Sequence, residues 1–205
     1  MISEHFSDAT IVQSWGMNAG PWTAAVREGR IESRIKVTDR AVVDAVLRLK
    51  PKSVLDIGCG EGWLSRAIAA RGVKVVGIDV VPQLVDAATQ AGGGDFRVLS
   101  YEDLASGGLQ LSVDVAVCNF ALIGKESVER LFTAIPALLA GEGALVVQTL
   151  NPLMVCGDSP YQDGWRKGSW AGCGEDFVNP APWYFRTLES WIALFASNGF
   201  RLVQL

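Results

Sequence analysis

One short stretch, "VLDIGCGEGWLS" (54–65), holds residues whose types and spacing suit a ligand better than a core: Asp56, Gly58, Gly60, Glu61 and Gly62. Glycine gives up side-chain packing and costs backbone entropy. Three of them at the end of an apolar run imply that something must come close to the backbone. A further acid, Asp79, ends the apolar run "VKVVGID" (73–79) and stands 21 positions after Gly58. A glycine turn followed about 20 residues later by an acid is the spacing with which a strand–turn–helix unit holds the hydroxyls of a ribose. A dinucleotide would bring a doubly negative pyrophosphate to the turn, beside Asp56 and Glu61, where like charges repel. The pattern is also GxGxG, without the third glycine of GxGxxG. These residues better suit an adenosine that carries no phosphate and is positively charged.

The elements that would position them follow from periodicity. "TDRAVVDAVLRLKP" (38–51) places Ala41, Val42, Ala45, Val46 and Leu49 on one helical face, with Thr38 as a cap and Pro51 as a stop. "SVLDI" (53–57), residues 73–79, "DFRVLS" (95–100), "VDVAVCNF" (113–120) and "ALVVQTL" (144–150) read as buried parallel strands, apolar without clean alternation. Helices are expected over 63–72, 82–92 and, within 125–143, a segment kinked or shortened by Pro136. Strands alternating with helices predict an α/β fold: a doubly wound, mostly parallel sheet in a three-layer α/β/α sandwich. One domain is expected over residues 1–205, with N-terminal helices in 1–50.

Residues 151–186 break the alternation, being rich in Gly, Pro and aromatics. A loop of this length inside a compact domain reads as a lid or a binding loop. After it come a helix over 187–199, capped by Thr187 and closed by Asn198-Gly199, and a last strand, "FRLVQL" (200–205).

Composition narrows the classes. Of 205 residues 49% are hydrophobic, enough for a core, and the net charge is −4 with no run of Lys or Arg, which argues against nucleic acid as a partner. No window of about 18 apolar residues reads as a membrane span, and "MISEHFSDAT" does not read as a signal peptide. The four cysteines (59, 118, 156, 173) are scattered and the only histidine is His5, so no metal is expected and the setting is read as a reducing cytoplasm. S-adenosylmethionine, an adenosine with a sulfonium and an α-ammonium group, satisfies the glycines, the acids and Asp79 together. An NAD(P)-dependent oxidoreductase and a non-catalytic S-adenosylmethionine-binding protein are the alternatives. An Asn-Pro-Pro-aromatic turn after the fourth strand, expected of a nucleic-acid amino-methyltransferase, is replaced by "CNFA".

"VLDIGCGEGWLS", "VVGID", "YEDL", "VDVAVCNFALI" and "GEGALVVQTLNP" together resemble the successive motifs of class I S-adenosylmethionine-dependent methyltransferases, in the small-molecule branch that includes the ubiquinone-biosynthesis O-methyltransferases. The resemblance covers about residues 30–150. It implies methyl transfer to a small molecule, with S-adenosyl-L-homocysteine as product. It implies that Gly58 and Gly60 pass the methionyl moiety with Asp56 beside them, that Asp79 takes the ribose hydroxyls and that Val80 borders the adenine. Tyr101 and Glu102 would read the adenine amino group, Asn119 and Phe120 would line the floor near the methyl, and Arg34, or less well Arg40, would grip the methionyl carboxylate.

No catalytic base is assigned. Tyr161, Asp163, Glu175, Asp176 and Tyr184 on the long loop are candidates, and His5 is a further one. Trp165, Trp170, Trp183, Tyr184 and Phe185 could wall an aromatic acceptor or cover the sheet edge, and Arg166, Lys167 and Arg186 could meet an acidic group on it. The resembled fold has a seventh, antiparallel strand between the fifth and sixth. The sequence therefore implies that chain beyond Leu205, another chain or the aromatic loop fills that gap.

Overall fold

The computed structural model describes residues 6–205; His5 lies outside them. Five strands form one parallel sheet: β1 (Ser53–Ile57), β2 (Lys74–Asp79), β3 (Asp95–Val98), β4 (Val113–Asn119) and β5 (Leu139–Gln148), in the order β3-β2-β1-β4-β5. Ile57 lies opposite both Ile78 and Cys118, so β1 is paired along both edges. The central strands bury alternate residues on opposite faces. Leu55, Ile57, Ala116 and Cys118 face α5 (Tyr101–Ala105), α6 (Glu126–Leu138) and α8 (Leu188–Ser197). Val54, Val115 and Val117 face α2 (Asp39–Arg48) and α3 (Trp63–Ala69). Burial on both faces explains why these strands read as unbroken apolar runs.

The strand order reverses between β1 and β4, and a doubly wound sheet holds its ligand in the crevice at that switch point. Over this end lies α1 (Asp8–Arg27). Its Ala19 packs with Val81 and Leu84 of the segment leading into α4 (Pro82–Ala91), alongside Trp15, Trp22 and Val80. Both ends of α1 are tied down. The Asp8 carboxylate accepts from the Lys125 and Ser127 backbone N–H groups, at 2.8 and 2.6 Å, and so caps α6 from a distant part of the chain. Arg27 donates to Glu61 at 3.0 Å and to the Ala87 carbonyl at 2.9 Å.

Four local expectations change. Thr38 does not cap α2: it ends a π-helical turn, Arg34–Thr38, that runs straight into the helix. β5 starts at Leu139, five residues early, with a register shift opposite Val113/Val115. The loop 151–186 is structured, with a short helix α7 (Pro152–Val155) and an antiparallel ribbon of β6 (Gly164–Arg166) and β7 (Trp183–Phe185). That ribbon is separate from the main sheet, so it does not fill a gap beside β5.

The fourth change is at the chain's end. "FRLVQL" is not a strand. Gly199 turns the chain at φ 81°, and Phe200 folds back on Phe132 and Phe195. Spending Phe200 on this aromatic cluster takes the first residue out of extended pairing, and residues 201–205 are exposed.

Replacing Asp8 by Ala removes a two-pronged cap of α6 and one of the two anchors of α1. The expected cost is about 1–2 kcal/mol, read as a lower midpoint in urea unfolding with an unchanged slope.

Candidate functional site

The glycine turn between β1 and α3 is bonded to the end of β2: the N–H groups of Gly58 and Cys59 both donate to the Ile78 carbonyl, at 2.8 and 2.9 Å. Gly58, Gly60 and Gly62 have φ of +72°, +56° and +83°, which favours glycine at each. Their surroundings differ. A Cβ on Gly58 would strike the Ala121 side chain and crowd the Tyr101 hydroxyl, and one on Gly62 would crowd Ala88 and Phe96. These two glycines answer to packing. A Cβ on Gly60 meets only the Trp22 indole nitrogen, at 3.6 Å. The ligand-facing space inferred from all three glycines thus belongs to Gly60.

Asp79 is 9% exposed, and both its oxygens are engaged, Oδ2 by the Gly60 N–H and Oδ1 by the Val81 N–H, each at 2.9 Å. Burial pushes its pKa up, and the backbone donors at Val81 and Gly60 pull the other way. Each oxygen keeps a lone pair for a hydroxyl donor. Asp56 lies beneath the turn, 1% exposed, and accepts from Ser65 Oγ at 2.7 Å.

Glu61 requires a correction. It was read as an acid facing the ligand's cations, but its buried carboxylate is taken by Arg66, at 2.7 and 2.8 Å, and by Arg27 at 3.0 Å. The protein's own arginines meet that charge.

Arg34 sits on the π-helical turn and is 8% exposed. Its Nε donates to Asp39 at 3.0 Å, and its guanidinium carbon lies 4.6 Å from the Trp63 ring centre and 5.5 Å from that of Trp22. Both terminal nitrogens are buried with no hydrogen-bond partner among the described residues. A cation hidden from water with two unmet donor groups is costly, so this guanidinium is shaped for an anion. Arg40, the weaker candidate, is exposed and paired with Asp44.

The remaining predicted positions are spread around the sheet's end. Val80 packs in the cluster under α1. Tyr101 is half-buried, and its hydroxyl donates to the Ala121 carbonyl at 3.2 Å. That bond sets its hydroxyl between Gly58 and Ala121, just past the ends of β1 and β4. Glu102 is half-buried in the first turn of α5. Asn119 ends β4, and its carboxamide oxygen accepts from Gln148 at 2.7 Å. Phe120 has φ +52°, a strained value for a side chain of this size, held by its N–H donating to the Gln148 carbonyl at 2.8 Å.

On the loop, two candidate bases have structural duties: Tyr161 Oη accepts from the Leu188 N–H, and Asp163 from the Thr187 N–H, both at 2.8 Å at the start of α8. Glu175 and Asp176 are exposed, Asp176 against Arg30. Tyr184 borders a pocket with Leu122, Ile123, Thr149, Leu150 and Trp183 at the ends of β4 and β5. Arg186 is buried and donates to the Gly124 and Lys125 carbonyls, so its guanidinium is taken up by the fold; Arg166 donates through one terminal nitrogen to the Pro160 carbonyl, and its Nε is buried without a hydrogen-bond partner among the described residues.

Sequence reasoning missed Trp22 and Trp63, the rings against Arg34, and Asn18. Asn18 donates to the Val178 carbonyl at 2.8 Å and accepts from the Val178 N–H at 2.9 Å, seating the long loop on α1. Trp63, directly after the glycine turn, offered a signal; Trp22 and Asn18 sit in a helix with no motif.

Burial, opposed by the Ser65 hydrogen bond, pushes the Asp56 carboxyl up to about 7. A raised folded-state pKa means that the unfolded chain loses its proton first, so stability from this group is complete below about pH 4 and drains away as pH rises towards 7. Asp56→Asn should be free of that loss. Denaturation of both proteins from pH 4 to 8 should show the wild type falling behind the variant until about pH 7 and then running parallel to it.

Three comparisons bear on this geometry. Residues 32–205 match the family described as a methyltransferase domain. The ubiquinone biosynthesis O-methyltransferase of Xanthomonas oryzae pv. oryzae is 38% identical over 114 residues, 53% of this chain and 47% of that protein. The chain thus spans about half the length of the curated relatives it matches. A crystal structure of an S-adenosylmethionine-dependent methyltransferase from Mesorhizobium loti superposes with a TM-score of 0.59 at 24% identity, covering 81% of this chain and 84% of that one. The magnesium protoporphyrin IX methyltransferase of Synechocystis PCC 6803, solved with S-adenosylhomocysteine bound, superposes at 0.64 with 21% identity, covering 97% and 91%. These likenesses carry the fold; with the match over 32–205, the chain belongs to the methyltransferase-domain family.

Proposed function

We propose that the protein is an S-adenosylmethionine-dependent methyltransferase acting on a small-molecule acceptor. The observation that carries this reading is Arg34: a buried guanidinium with two unmet nitrogens, beside the glycine turn whose Gly60 N–H is held by Asp79. An anion receptor packed on Trp63, just after the turn, and a ribose-hydroxyl acceptor bonded to Gly60 within it match S-adenosylmethionine's methionyl carboxylate and its ribose.

Bound there, S-adenosylmethionine would supply an electrophilic methyl on a sulfonium whose departure leaves a neutral thioether. The chain's own part is binding and alignment. Arg34 fixes the carboxylate, Asp79 the ribose, and Val80 borders the adenine. Asn119 and Phe120, held by Gln148, form the floor on the β4 side. Since the leaving group needs no acid, holding the acceptor in line supplies much of the acceleration, and α1 above the turn helps keep water away. The walls of Leu122, Ile123, Thr149, Leu150, Trp183 and Tyr184 are the proposed acceptor side; they close on a cavity of only about 10 Å³, room for about one water, so the β7 side must draw back to admit an acceptor. Of the described candidate bases Tyr184 alone borders that cavity, and it would accept a proton from a hydroxyl acceptor only as the phenolate, after giving up its own proton to solvent. The four cysteines are free thiols, which supports a reducing, cytoplasmic setting. No described helix is long and apolar enough to cross a membrane.

Calorimetry tests the reading. S-adenosylmethionine and S-adenosylhomocysteine should bind and NAD should not; an acceptor screen read by S-adenosylhomocysteine release should then give turnover. Asp79→Ala should weaken S-adenosylmethionine by about tenfold or more, from loss of charge-assisted bonds to the ribose. Unchanged affinity in that variant would remove Asp79 from the site.

A further inference from the structure

Arg34 alone does not complete a carboxylate seat. A carboxylate offers about four lone-pair positions on two oxygens, and the guanidinium brings two free terminal nitrogens from one side. The other polar group on the spot comes from α1. Trp22 Nε1 lies 3.6 Å from where a Gly60 Cβ would stand. It makes no hydrogen bond to any described residue, while the same indole flanks the Arg34 guanidinium. Two neighbouring features keep it there. Trp15 packs edge-on against Trp22 with ring centres 5.1 Å apart, and Arg27, one and a half turns further along α1, is fastened to Glu61 next to Gly60. An indole N–H is a donor only, and this one, unlike the Arg34 nitrogens, is not sealed from solvent, so an arriving acceptor can reach it. Two donors of different origin, the unmet guanidinium nitrogens of the π-helical turn and the open indole N–H of α1 beside Gly60, are thus joined through the Trp22 ring and available to one acceptor.

We infer that Trp22 is a positioning and specificity residue of the cofactor site, donating its indole N–H to the same carboxylate that Arg34 receives and so making α1 part of the recognition of the ligand's amino-acid end. This rests on the S-adenosylmethionine reading above. It assigns to Trp22 the discrimination between ligands that carry the methionyl carboxylate and nucleosides that lack it, a task Arg34 would otherwise perform alone. It also gives α1 a function beyond roofing the sheet.

The test compares S-adenosylhomocysteine with 5′-methylthioadenosine, which keeps the nucleoside and the sulfur but has no amino-acid end. Calorimetric dissociation constants are measured for wild type, Trp22→Phe and Trp22→His. Phe keeps an aromatic ring on Arg34 and removes the donor. The five-membered ring of His overlays that of indole and brings Nε2 to the place of Nε1. The wild type should prefer S-adenosylhomocysteine strongly. Trp22→Phe should weaken it about tenfold with 5′-methylthioadenosine little changed, and Trp22→His should recover most of the lost ratio. Because the readout is a ratio, a general loosening of the fold cancels, and if the Phe variant does not fold the His variant carries the test by retaining the ratio. Equal losses for both ligands, no loss in Trp22→Phe, or a collapsed ratio in Trp22→His would each overturn the assignment. Failure of the wild type to bind S-adenosylhomocysteine at all would instead defeat the parent reading, and this inference with it.

Discussion

A carboxylate with no contact with water must have its charge met from within, and much of the geometry described above depends on how Glu61 is met. It lies in the middle of the glycine turn, fully buried, between Arg27 of α1 and Arg66 of α3. Breaking such a pair by removing one partner is far more damaging than never having built it, because the remaining charge stays buried. The turn therefore holds α3 below it and α1 above it by the same side chain. Trp22 stands over Gly60 because α1 is held there, and Arg34 finds an aromatic neighbour because Trp22 does.

The charges around the turn fall into two sorts. Glu61, Arg66 and Arg186 are fully answered by neighbours and serve the fold. Asp56, Asp79 and Arg34 are buried and incompletely answered: the acids have pKa values raised chiefly by burial, and Arg34 lacks partners at two nitrogens. Unmet charge in a dry place is unfavourable in the isolated protein, and a ligand that supplies the counterpart is rewarded for it. Asp56 and Asp79 lie at the ends of β1 and β2, beneath and beside the glycine turn, and Arg34 packs on Trp63 directly after it, whereas the first group ties the turn and the loop to the helices.

The sheet was legible in the sequence because strands buried on both faces write themselves as apolar runs; β1, β2 and β4 fall within a residue of expectation. The placing of Gly60 and Asp79 together at the turn was legible from spacing, while Arg34 was singled out by resemblance alone, and the roles of all three belong to the proposal above. What stayed hidden was whatever long-range contact decides. The sequence cannot say that Glu61 is spoken for, since Arg27 is 34 positions away. Nor can it say that Gly62 exists for Ala88 and Phe96, or that Phe200 will leave a strand-like run to join Phe132. Thr38 had the right chemistry for a cap and lost that role because the preceding turn is π-helical, which continues the helix through it.

The clasp between Asn18 and Val178 is asymmetric. On α1 it needs a carboxamide of one particular length, a donor and an acceptor on the same short side chain. On the loop it uses only the backbone N–H and carbonyl of residue 178, which every residue but proline provides. Ser14 treats the loop likewise, donating to the Asn179 carbonyl at 2.6 Å. The helix is thus the conservative partner and the loop the permissive one. Side chains between β6 and β7 can therefore change while the loop keeps its berth on the same helix.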